Sequence, residues 1–341
     1  MGPTALGTPP SNPTSRPLVI ALGDPAGIGP EVVLKALARP EAKGRPVVIV
    51  GCRRWLEATY HRLRGLGDAP LVDPADVEVK DSPLEAPVTL GVGDAASGSA
   101  SFAWLSQAIQ LVSAGGGRAL VTAPIAKAAW HAAGHPYPGQ TERLAELCGV
   151  SRASMLFTAR STLGPWRFNT LLATTHIPLA QVPTALSADL VHLQLDRLLA
   201  FCQRFQPRPR LRVAGLNPHA GEGGTLGQEE QGWLEGCLKH WQALHPEASL
   251  EGPLPPDTCW LEATRAWRGE GSGPDGYLAL YHDQGLIPVK LLAFDRAVNT
   301  TLGLPFLRTS PDHGTAFDIA GQGVAREESM AAALEAAWEL G

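Results

Sequence analysis

Three histidines in this sequence follow apolar runs that are typical of buried strands. His176 ends the run NTLLATTH, His219 follows RLRVAGLNP, and His282 follows GYLALY. Neutral imidazole is a common ligand of zinc and similar divalent ions, and three protein ligands with an open position are typical of a catalytic metal site. The histidines are 43 and 63 residues apart, which excludes a local motif such as H-E-x-x-H. Their position therefore indicates a metal site, although each one alone also fits a hydrogen-bonded loop residue.

Polar residues that suit an anionic substrate lie near the same runs. Asn217 and Asp283 each neighbour one of the histidines, and Lys290, Asn299 and Arg308 follow later in the chain. Arginine can clamp a carboxylate or phosphate in a fork, whereas lysine acts as a point charge. Lys290 stands between Val289 and Leu291, and Arg308 directly follows the apolar run LPFL. That setting favours a role in a site over a solvated surface charge.

The glycine-rich stretch GDPAGIGPE does not complete a known nucleotide-binding motif. It contains Gly27 and Gly29 but lacks the last glycine of G-x-G-x-x-G, and the sequence has no P-loop G-K-[ST]. A Rossmann dinucleotide fingerprint is therefore absent from the sequence. Asp24 and Gly27 either border a cleft or form a turn with an N-capping acid.

The elements that must position these residues alternate between strand and helix along the chain. This alternation predicts an α/β protein with a mainly parallel sheet and helices on both faces. One predicted strand runs through GYLALYHDQG, so that His282 stands at its end. Ligands of such sheets bind beyond the carboxyl ends of the strands. We expect two α/β/α lobes that share a cleft.

Composition narrows the class of protein and its compartment. The net charge is -5 with acids and bases interspersed, which argues against a nucleic-acid partner. The five cysteines are scattered without a CxxC pair, which indicates reduced thiols in the cytoplasm. No apolar run reaches the ~20 residues of a membrane span. Residues 1–16, rich in Pro, Gly, Ser and Thr, predict a disordered leader.

Several strings together identify a known family. They are GDPAGIGPE, TAPIAK, TTHIPL, GLNPHAGEGG, GPLPPDT, YHDQGL, NTTLGLPFLRTSPDHGTA and the AGQG that follows. The chain resembles the 4-hydroxythreonine-4-phosphate dehydrogenases, the pyridoxal phosphate biosynthesis enzymes called PdxA. The resemblance runs from residue 23 to about residue 323.

This resemblance implies a fold similar to isocitrate and isopropylmalate dehydrogenases, with residues 17–140 plus 300–341 as one lobe and 141–299 as the other. It implies a homodimer that uses NAD or NADP and one divalent metal ion (Zn, Mg or Co) in a cleft near the subunit interface. The implied metal ligands are His176, His219 and His282. The implied substrate contacts are Gln140, Thr141, Lys290, Asn299 and Arg308. Lys290 and Asp257 are the candidate catalytic residues.

Position 140 departs from the family pattern, since GQTE stands where GHTE is usual. Glutamine is neutral, whereas a histidine can carry positive charge toward a phosphate. We expect roughly tenfold weaker phosphate binding unless Lys127, Lys290 or Arg143 compensates. The alternative is that Gln140 replaces one hydrogen bond with another.

The implied reaction is the oxidation of 4-phosphooxy-L-threonine, followed by decarboxylation of the β-keto acid. Sister dehydrogenases act on 4-phospho-D-threonate, on 4-phospho-erythronate or on cis-dihydrodiol carboxylates, and Gln140 keeps these substrates open. A metal-dependent hydrolase or aldolase would also suit three histidines, and it would turn over without NAD. A non-catalytic metabolite-binding protein would leave the three histidines unexplained.

Overall fold

The computed structural model describes residues 16–341. Apart from Arg16, the leader expected over residues 1–16 lies outside the described residues. Within them, the strands are β1 Leu18–Ala21, β2 Val47–Gly51, β3 Glu78–Asp81, β4 Ala119–Thr122, β5 Ser154–Arg160, β6 Arg167–Leu172, β7 Arg210–Ala214, β8 Ser249–Leu254, β9 Gly276–Ala279, β10 Val298–Leu302 and β11 Leu307–Pro311.

The α-helices of the described chain cover both faces of the sheet that these strands form. They are α1 Gly29–Leu37, α2 Arg53–Arg64, α3 Ala95–Ser113, α4 Lys127–Ala132, α5 Gln140–Leu147, α6 Val182–Ala185, α7 Ala188–Cys202, α8 Glu235–Leu244, α9 Leu261–Trp267, α10 His282–Ala293 and α11 Glu328–Leu340. None of the helices between residues 16 and 341 is both long enough and apolar enough to cross a membrane.

All eleven strands form one sheet in the order β3-β2-β1-β4-β11-β10-β5-β6-β9-β7-β8. Seven pairings are parallel, and the three antiparallel ones lie in the middle, where β10 pairs with β11 and β5, and β5 pairs with β6. The predicted α/β class with a mainly parallel sheet is confirmed. The sheet runs through both predicted lobes, and the division into lobes stays a prediction.

Burial explains why the first strands form where they do. All four residues of β1 (LVIA) and of β4 (ALVT) are buried, as expected for parallel strands covered on both faces. The helix α3 begins at a capping box in which Asp94 accepts from the backbone of Ser97 and the Ser97 hydroxyl accepts from the backbone of Asp94. Strand β11, from the end of the chain, lies between β4 and β10 and so joins early and late segments.

The three histidine-bearing runs lie side by side in the sheet. Strands β6, β9 and β7 are neighbours and mutually parallel, so their carboxyl ends meet at one edge. His176 follows β6, His282 follows β9 and His219 follows β7. The sequence expectation that these histidines follow strand ends is therefore met for all three.

The predicted strand through GYLALYHDQG is wrong in its second half. Strand β9 ends at Ala279, and His282 is the first residue of α10. The Gln284 side chain accepts from the Leu280 backbone N–H at 2.7 Å and donates to the Gly215 carbonyl at 2.6 Å, which ends strand pairing and starts the helix. Lys290 therefore stands on a helix, with Val289 buried beside it.

The segment that carries His219 is a left-handed turn. Residues 219–223 all have positive φ, between 42° and 80°. His219, Ala220 and Glu222 are not glycines, and each costs roughly 1–2 kcal/mol in this conformation. The backbone amides of Leu216 and Asn217 just before the turn both donate to the buried Glu230 carboxylate at 2.8 Å. This segment is therefore anchored at its start by a buried carboxylate.

Candidate active site

A cavity of about 710 Å³ lies over the middle of the sheet. Its walls come from the β4–α4 loop, the start of α5, the end of β6, and strands β10 and β11. Five of the predicted site residues line it: Gln140, Thr141, His176, Asn299 and Arg308. The structure thus brings together most of the predicted substrate contacts and one predicted metal ligand.

Arg308 is the most buried charge of the cavity, with 3% of its surface exposed. Its Nε and Nη2 donate to the Thr122 hydroxyl at 3.0 and 2.6 Å, and its Nη1 donates to the Thr301 hydroxyl at 3.1 Å. No carboxylate within residues 16–341 lies within salt-bridge distance of it. Burial lowers the pKa of Arg308 to about 10, because removal from water disfavours the charged form. The site therefore holds a buried positive charge without a counter-ion.

Gln140 joins Arg308 to the β4–α4 loop. Its Oε1 accepts from Nη2 of Arg308 at 3.2 Å, and its Nε2 donates to the Ala123 carbonyl at 3.1 Å. Both ends of the amide are thus engaged with the protein. Gln140 orients the guanidinium in this structure, in addition to lining the cavity.

Lys290 reaches the cavity wall from α10. Its Nζ forms an ion pair with Asp312, which lines the cavity. Burial lowers the pKa of the Lys290 ammonium, because removal from water disfavours the charged form. An amine in this position can exchange a proton with a group in the cavity.

Two of the predicted metal ligands lie next to each other. The ring centroids of His176 and His282 are 5.4 Å apart. Desolvation, followed by the charges of His282 and Lys127, lowers the pKa of His176. A lowered pKa keeps the imidazole neutral, which is the form that binds metal. The donor chemistry of this pair therefore fits a divalent ion.

His219 is exposed, and its Nδ1 lies 3.3 Å from the Glu222 carboxylate. The part of the chain that the structure describes contains no group of three or more His, Cys, Asp or Glu side chains that could hold a metal ion. Within one chain, His219 thus does not form a metal-binding group with His176 and His282. The three-histidine site stays a prediction.

Asp257 follows β8 and is exposed. It is not among the residues that line the cavity around Arg308. It lies on the same edge of the sheet as the end of β7, since β7 and β8 are parallel neighbours. Its catalytic role also stays a prediction.

Among the cavity residues that the sequence analysis gave no role are Thr122, Asp312 and His313, although strings of the resemblance contain them. Lys127, also in the cavity, was considered only as a cation that could compensate for Gln140. Thr122 and Lys127 belong to TAPIAK, and Asp312 and His313 belong to SPDHGTA. No spacing rule singles them out, because what matters is their contact with groups distant in sequence.

A second pocket of about 310 Å³ shares Asp312, His313 and Gly314 with the cavity. Its other walls include the apolar side chains of Ile28 and Ile319. A ligand with one polar and one apolar end could therefore extend from the cavity into this pocket.

Comparison with known proteins decides the family. A family model described as "Pyridoxal phosphate biosynthetic protein PdxA" matches residues 42–337. The chain belongs to the PdxA family. It is 63% identical over 328 residues to a 4-hydroxythreonine-4-phosphate dehydrogenase of Synechococcus sp. (strain RCC307), covering 95% of this chain and 99% of the relative.

Other members of the PdxA family resemble this chain less closely. A D-threonate 4-phosphate dehydrogenase of Salmonella typhimurium is 39% identical, over 96% of this chain and 99% of the relative. A crystal structure of a 4-hydroxythreonine-4-phosphate dehydrogenase from Klebsiella pneumoniae has a TM-score of 0.80 at 38% identity, covering 96% of this chain and 99% of that one. These relatives are dehydrogenases, and the present PdxA-family chain is accordingly an oxidoreductase that acts on a CH–OH group.

The predicted likeness to isocitrate dehydrogenase is confirmed at the level of fold. The isocitrate dehydrogenase of Methylococcus capsulatus has a TM-score of 0.50 at 14% identity, with 94% of this chain and 85% of that chain covered.

Proposed function

We propose that the protein oxidises 4-phosphooxy-L-threonine to 2-amino-3-oxo-4-(phosphooxy)butanoate with NAD or NADP. Loss of carbon dioxide then gives 3-amino-2-oxopropyl phosphate, for pyridoxal 5'-phosphate biosynthesis. The observation that carries this proposal is the buried Arg308 guanidinium, which faces a cavity of about 710 Å³ without a carboxylate partner. An uncompensated buried cation is costly unless an anion occupies the site, and the phosphorylated substrate is such an anion.

The chain's own residues bind and orient the substrate at two ends. Arg308, Thr141 and Gln140 bind its phosphate end, and Asn299 donates its amide to the amino-acid end. In its neutral amine form, Lys290 takes the proton of the reacting hydroxyl at its Nζ, and burial, which lowers the pKa of this group, favours that form. Asp312 then stabilises the ammonium that forms. Asp257 remains the second candidate for moving a proton.

A divalent ion (Zn, Mg or Co) would be held by His176, His282 and His219, and it would supply Lewis-acid polarisation of the substrate oxygen. A bound dinucleotide would supply its nicotinamide as the acceptor of the hydride from the substrate carbon that bears the hydroxyl. The second pocket, lined by Ile28 and Ile319, supports binding of the apolar end of that dinucleotide.

We also propose a homodimer in the cytoplasm. Helix α10 exposes Ile287 and Leu291, and Phe294, the C-cap residue that follows the helix, is also exposed; the exposed fractions are 58%, 80% and 69%. These residues stand at helical spacing on one face, on the helix that begins with His282. A second copy that covers this stripe would place its surface near the histidines. The five free cysteines support a reducing compartment.

The test is a steady-state assay of purified protein with NAD and 4-phosphooxy-L-threonine, with and without a chelator. We expect nicotinamide reduction that the chelator abolishes and that added zinc, magnesium or cobalt restores. Turnover without nicotinamide reduction would instead support the hydrolase or aldolase class.

A second candidate substrate is 4-phospho-D-threonate. It is favoured by Gln140, the departure from GHTE, and by the relatives named as D-threonate 4-phosphate dehydrogenases. The same assay with 4-phospho-D-threonate, 4-phospho-erythronate and a cis-dihydrodiol carboxylate discriminates among these substrates by kcat/KM.

A further inference from the structure

The hydrogen bonds of Arg308 leave little of its guanidinium for a ligand. A guanidinium has five N–H groups. Two of them are directed at Thr122, one at Thr301 and one at Gln140. One N–H, on Nη1, is left, so Arg308 cannot clasp a phosphate in a two-pronged fork. The other donors to a phosphate must come from neighbouring residues.

Of Lys127, Lys290 and Arg143, the cations that could compensate for Gln140, two are engaged elsewhere. The Lys290 ammonium is paired with Asp312. Arg143 donates to Ser106 at 3.2 Å and to Glu146 at 2.8 Å. These contacts hold Arg143 against α3 and α5, and it does not line the cavity.

Lys127 is the cation that stays available. It is the first residue of α4, it lines the cavity, and it is exposed. Over residues 16–341 no hydrogen-bond partner and no carboxylate within 4.0 Å of its Nζ is present. Its stem runs past Gly139, where a side-chain Cβ would lie 3.5 Å from the Lys127 Cε and 4.0 Å from its Nζ. The glycine thus leaves space for the lysine beside the start of α5.

The start of α5 adds neutral donors at the same place. Its N-cap, Gly139, has no side chain to cap the helix, so the first backbone N–H groups are free to meet an anion. The Thr141 hydroxyl lines the cavity. Glu142 is the one acidic group here, and its Oε2 lies 3.4 Å from the same Gly139 Cβ position. A carboxylate in this position opposes a phosphate, so a cation is needed beside it.

We propose that Lys127 is the principal cation that binds the substrate phosphate in this chain, with the Thr141 hydroxyl and the α5 amides as neutral donors. Arg308, on strand β11, supplies one N–H and a buried positive charge. The proposal rests on the proposed function, since it assumes a phosphorylated substrate in this cavity. It makes Lys127 a specificity residue that supplies the charge absent from Gln140.

The test compares wild type, Lys127→Met and Lys127→Arg on 4-phosphooxy-L-threonine and on unphosphorylated 4-hydroxy-L-threonine. In Lys127→Met we expect KM for the phosphorylated substrate to rise about tenfold to hundredfold with kcat nearly unchanged, as for loss of a charge-assisted contact. The kcat/KM for the unphosphorylated substrate should stay at the wild-type value. Lys127→Arg should restore most of the phosphate preference.

The matched control is Lys239→Met, which removes an exposed lysine on α8 that is 3.6 Å from Glu235. It should leave all constants at wild-type values. Calorimetric titration with inorganic phosphate, without NAD, gives a readout independent of turnover, and Lys127→Met should weaken that binding by a similar factor.

The outcomes separate the two proposals. If neither substrate is oxidised but Lys127→Met still weakens phosphate binding, the proposed function fails and the phosphate site stands. If the phosphorylated substrate is oxidised and Lys127→Met lowers kcat/KM equally for both substrates, or for neither, the assignment of Lys127 is overturned.

Discussion

Arg308 shows how a single residue can sacrifice stability for binding. Its guanidinium is buried among the hydroxyls of Thr122 and Thr301 and the amide of Gln140. These neutral acceptors take up its hydrogen bonds but leave its charge uncompensated. Burial of that charge lowers the pKa of Arg308 to about 10. A carboxylate in the same place would stabilise the fold and repel an anionic substrate. A neutral side chain at position 140 therefore lowers the stability of the fold but favours binding of an anionic substrate.

Gln140→Glu tests this opposition. The new carboxylate keeps an acceptor for Nη2 of Arg308 and pairs with a buried cation, but it loses the donation to the Ala123 carbonyl. Because a charged pair outweighs one neutral hydrogen bond, we expect the free energy of unfolding to rise by about 1 kcal/mol. The same charge should raise KM for the phosphorylated substrate at least about tenfold. Thermal unfolding and steady-state kinetics on one preparation measure both. A variant that is less stable and binds substrate as well as wild type would contradict the role given to Gln140.

Gln140→His tests the expectation drawn from the sequence. If a neutral side chain at 140 weakens phosphate binding, histidine should raise the ratio of kcat/KM for phosphorylated over unphosphorylated substrate by roughly tenfold below its own pKa. An unchanged ratio would mean that position 140 does not read the phosphate directly. That result would agree with a glutamine that acts through Arg308.

Asp24 is a buried carboxyl beside the loop that carries Lys127. It accepts from the backbone of Ala26 at 2.9 Å and from the hydroxyl of Ser97 at 3.3 Å, and burial raises its pKa to about 6. This folded-state pKa lies above the ordinary aspartate value of 3.8, so the folded chain binds this proton more tightly than the unfolded chain. The stability that this group contributes is thus present at low pH and is lost as pH rises through about 6.

Asp24→Asn should remove the loss of stability that wild type suffers as pH rises through about 6. Relative to wild type, the free energy of unfolding of the variant should improve by up to about 3 kcal/mol between about pH 4 and about pH 7. Urea unfolding at a series of pH values measures the difference. Asp68→Asn, at an exposed position, is the control and should track wild type at every pH. Parallel curves for Asp24→Asn and wild type would show that Asp24 ionises in the folded protein as freely as in the unfolded chain.

At the scale of elements, the left-handed turn at 219–223 depends on one neighbour. Glu230 accepts from the amides of Leu216 and Asn217 through Oε1, and from the Asn217 side chain through Oε2 at 2.9 Å. A turn with three non-glycine residues at positive φ persists when surrounding contacts hold it. Glu230, in a π-helical turn at Glu230–Leu234, supplies those contacts.

Glu230→Gln should loosen the turn. Its new NH₂ group faces the Asn217 NH₂, so one hydrogen bond is lost and one buried donor is left without an acceptor. We expect a loss of about 1–3 kcal/mol in the free energy of unfolding and faster hydrogen exchange at the Leu216 and Asn217 amides. Glu229→Gln is the matched control, because Glu229 accepts from the same Asn217 amide at 2.7 Å but is partly exposed. Equal effects of the two variants would contradict Glu230 as the anchor.

The order of the elements was predictable, but some boundaries were not. The apolar runs and the intervening amphipathic segments predicted the alternation of strand and helix. The boundary of β9 and α10 was missed because GYLALY and GLIPVKLLA are both rich in apolar residues, so composition does not show where the strand gives way to the helix. The Gln284 side chain, which takes the Leu280 amide, decides where the strand ends. A contact of this kind has no periodic signature.

The same limit applies to the site. The resemblance named Arg308, Gln140 and Thr141, and the structure does place them in one cavity. Asp312 matters because it pairs with Lys290, which is distant in sequence. Lys127 matters because no partner for its ammonium is present among the described residues. Sequence spacing does not encode such contacts. The position of His219 relative to the other two histidines likewise depends on the turn that holds it.

At the scale of the whole molecule, the exposed apolar stripe on α10 predicts self-association. Leu291→Glu introduces charge at its most exposed position, and we expect a dimer of the wild type to dissociate to monomers with loss of activity. Light scattering at micromolar concentration gives the mass. Leu244→Glu makes the same change at an exposed leucine of α8 and should leave mass and activity unchanged. A fully active wild-type monomer would rule out the dimer.

The placement of β11 between β4 and β10 also affects how the chain is made. The Arg308 side chain meets Thr122 across 186 positions of sequence, and β4 has β11 as its partner on one side. While the ribosome is still translating the second half, β4 therefore presents an unpaired edge, which is a template for wrong pairing. Contacts this distant in sequence form slowly. A prematurely terminated chain that ends before Leu307 has neither that strand nor the guanidinium, so we expect such a product to aggregate and to lack activity. Activity would then report that synthesis has passed residue 311.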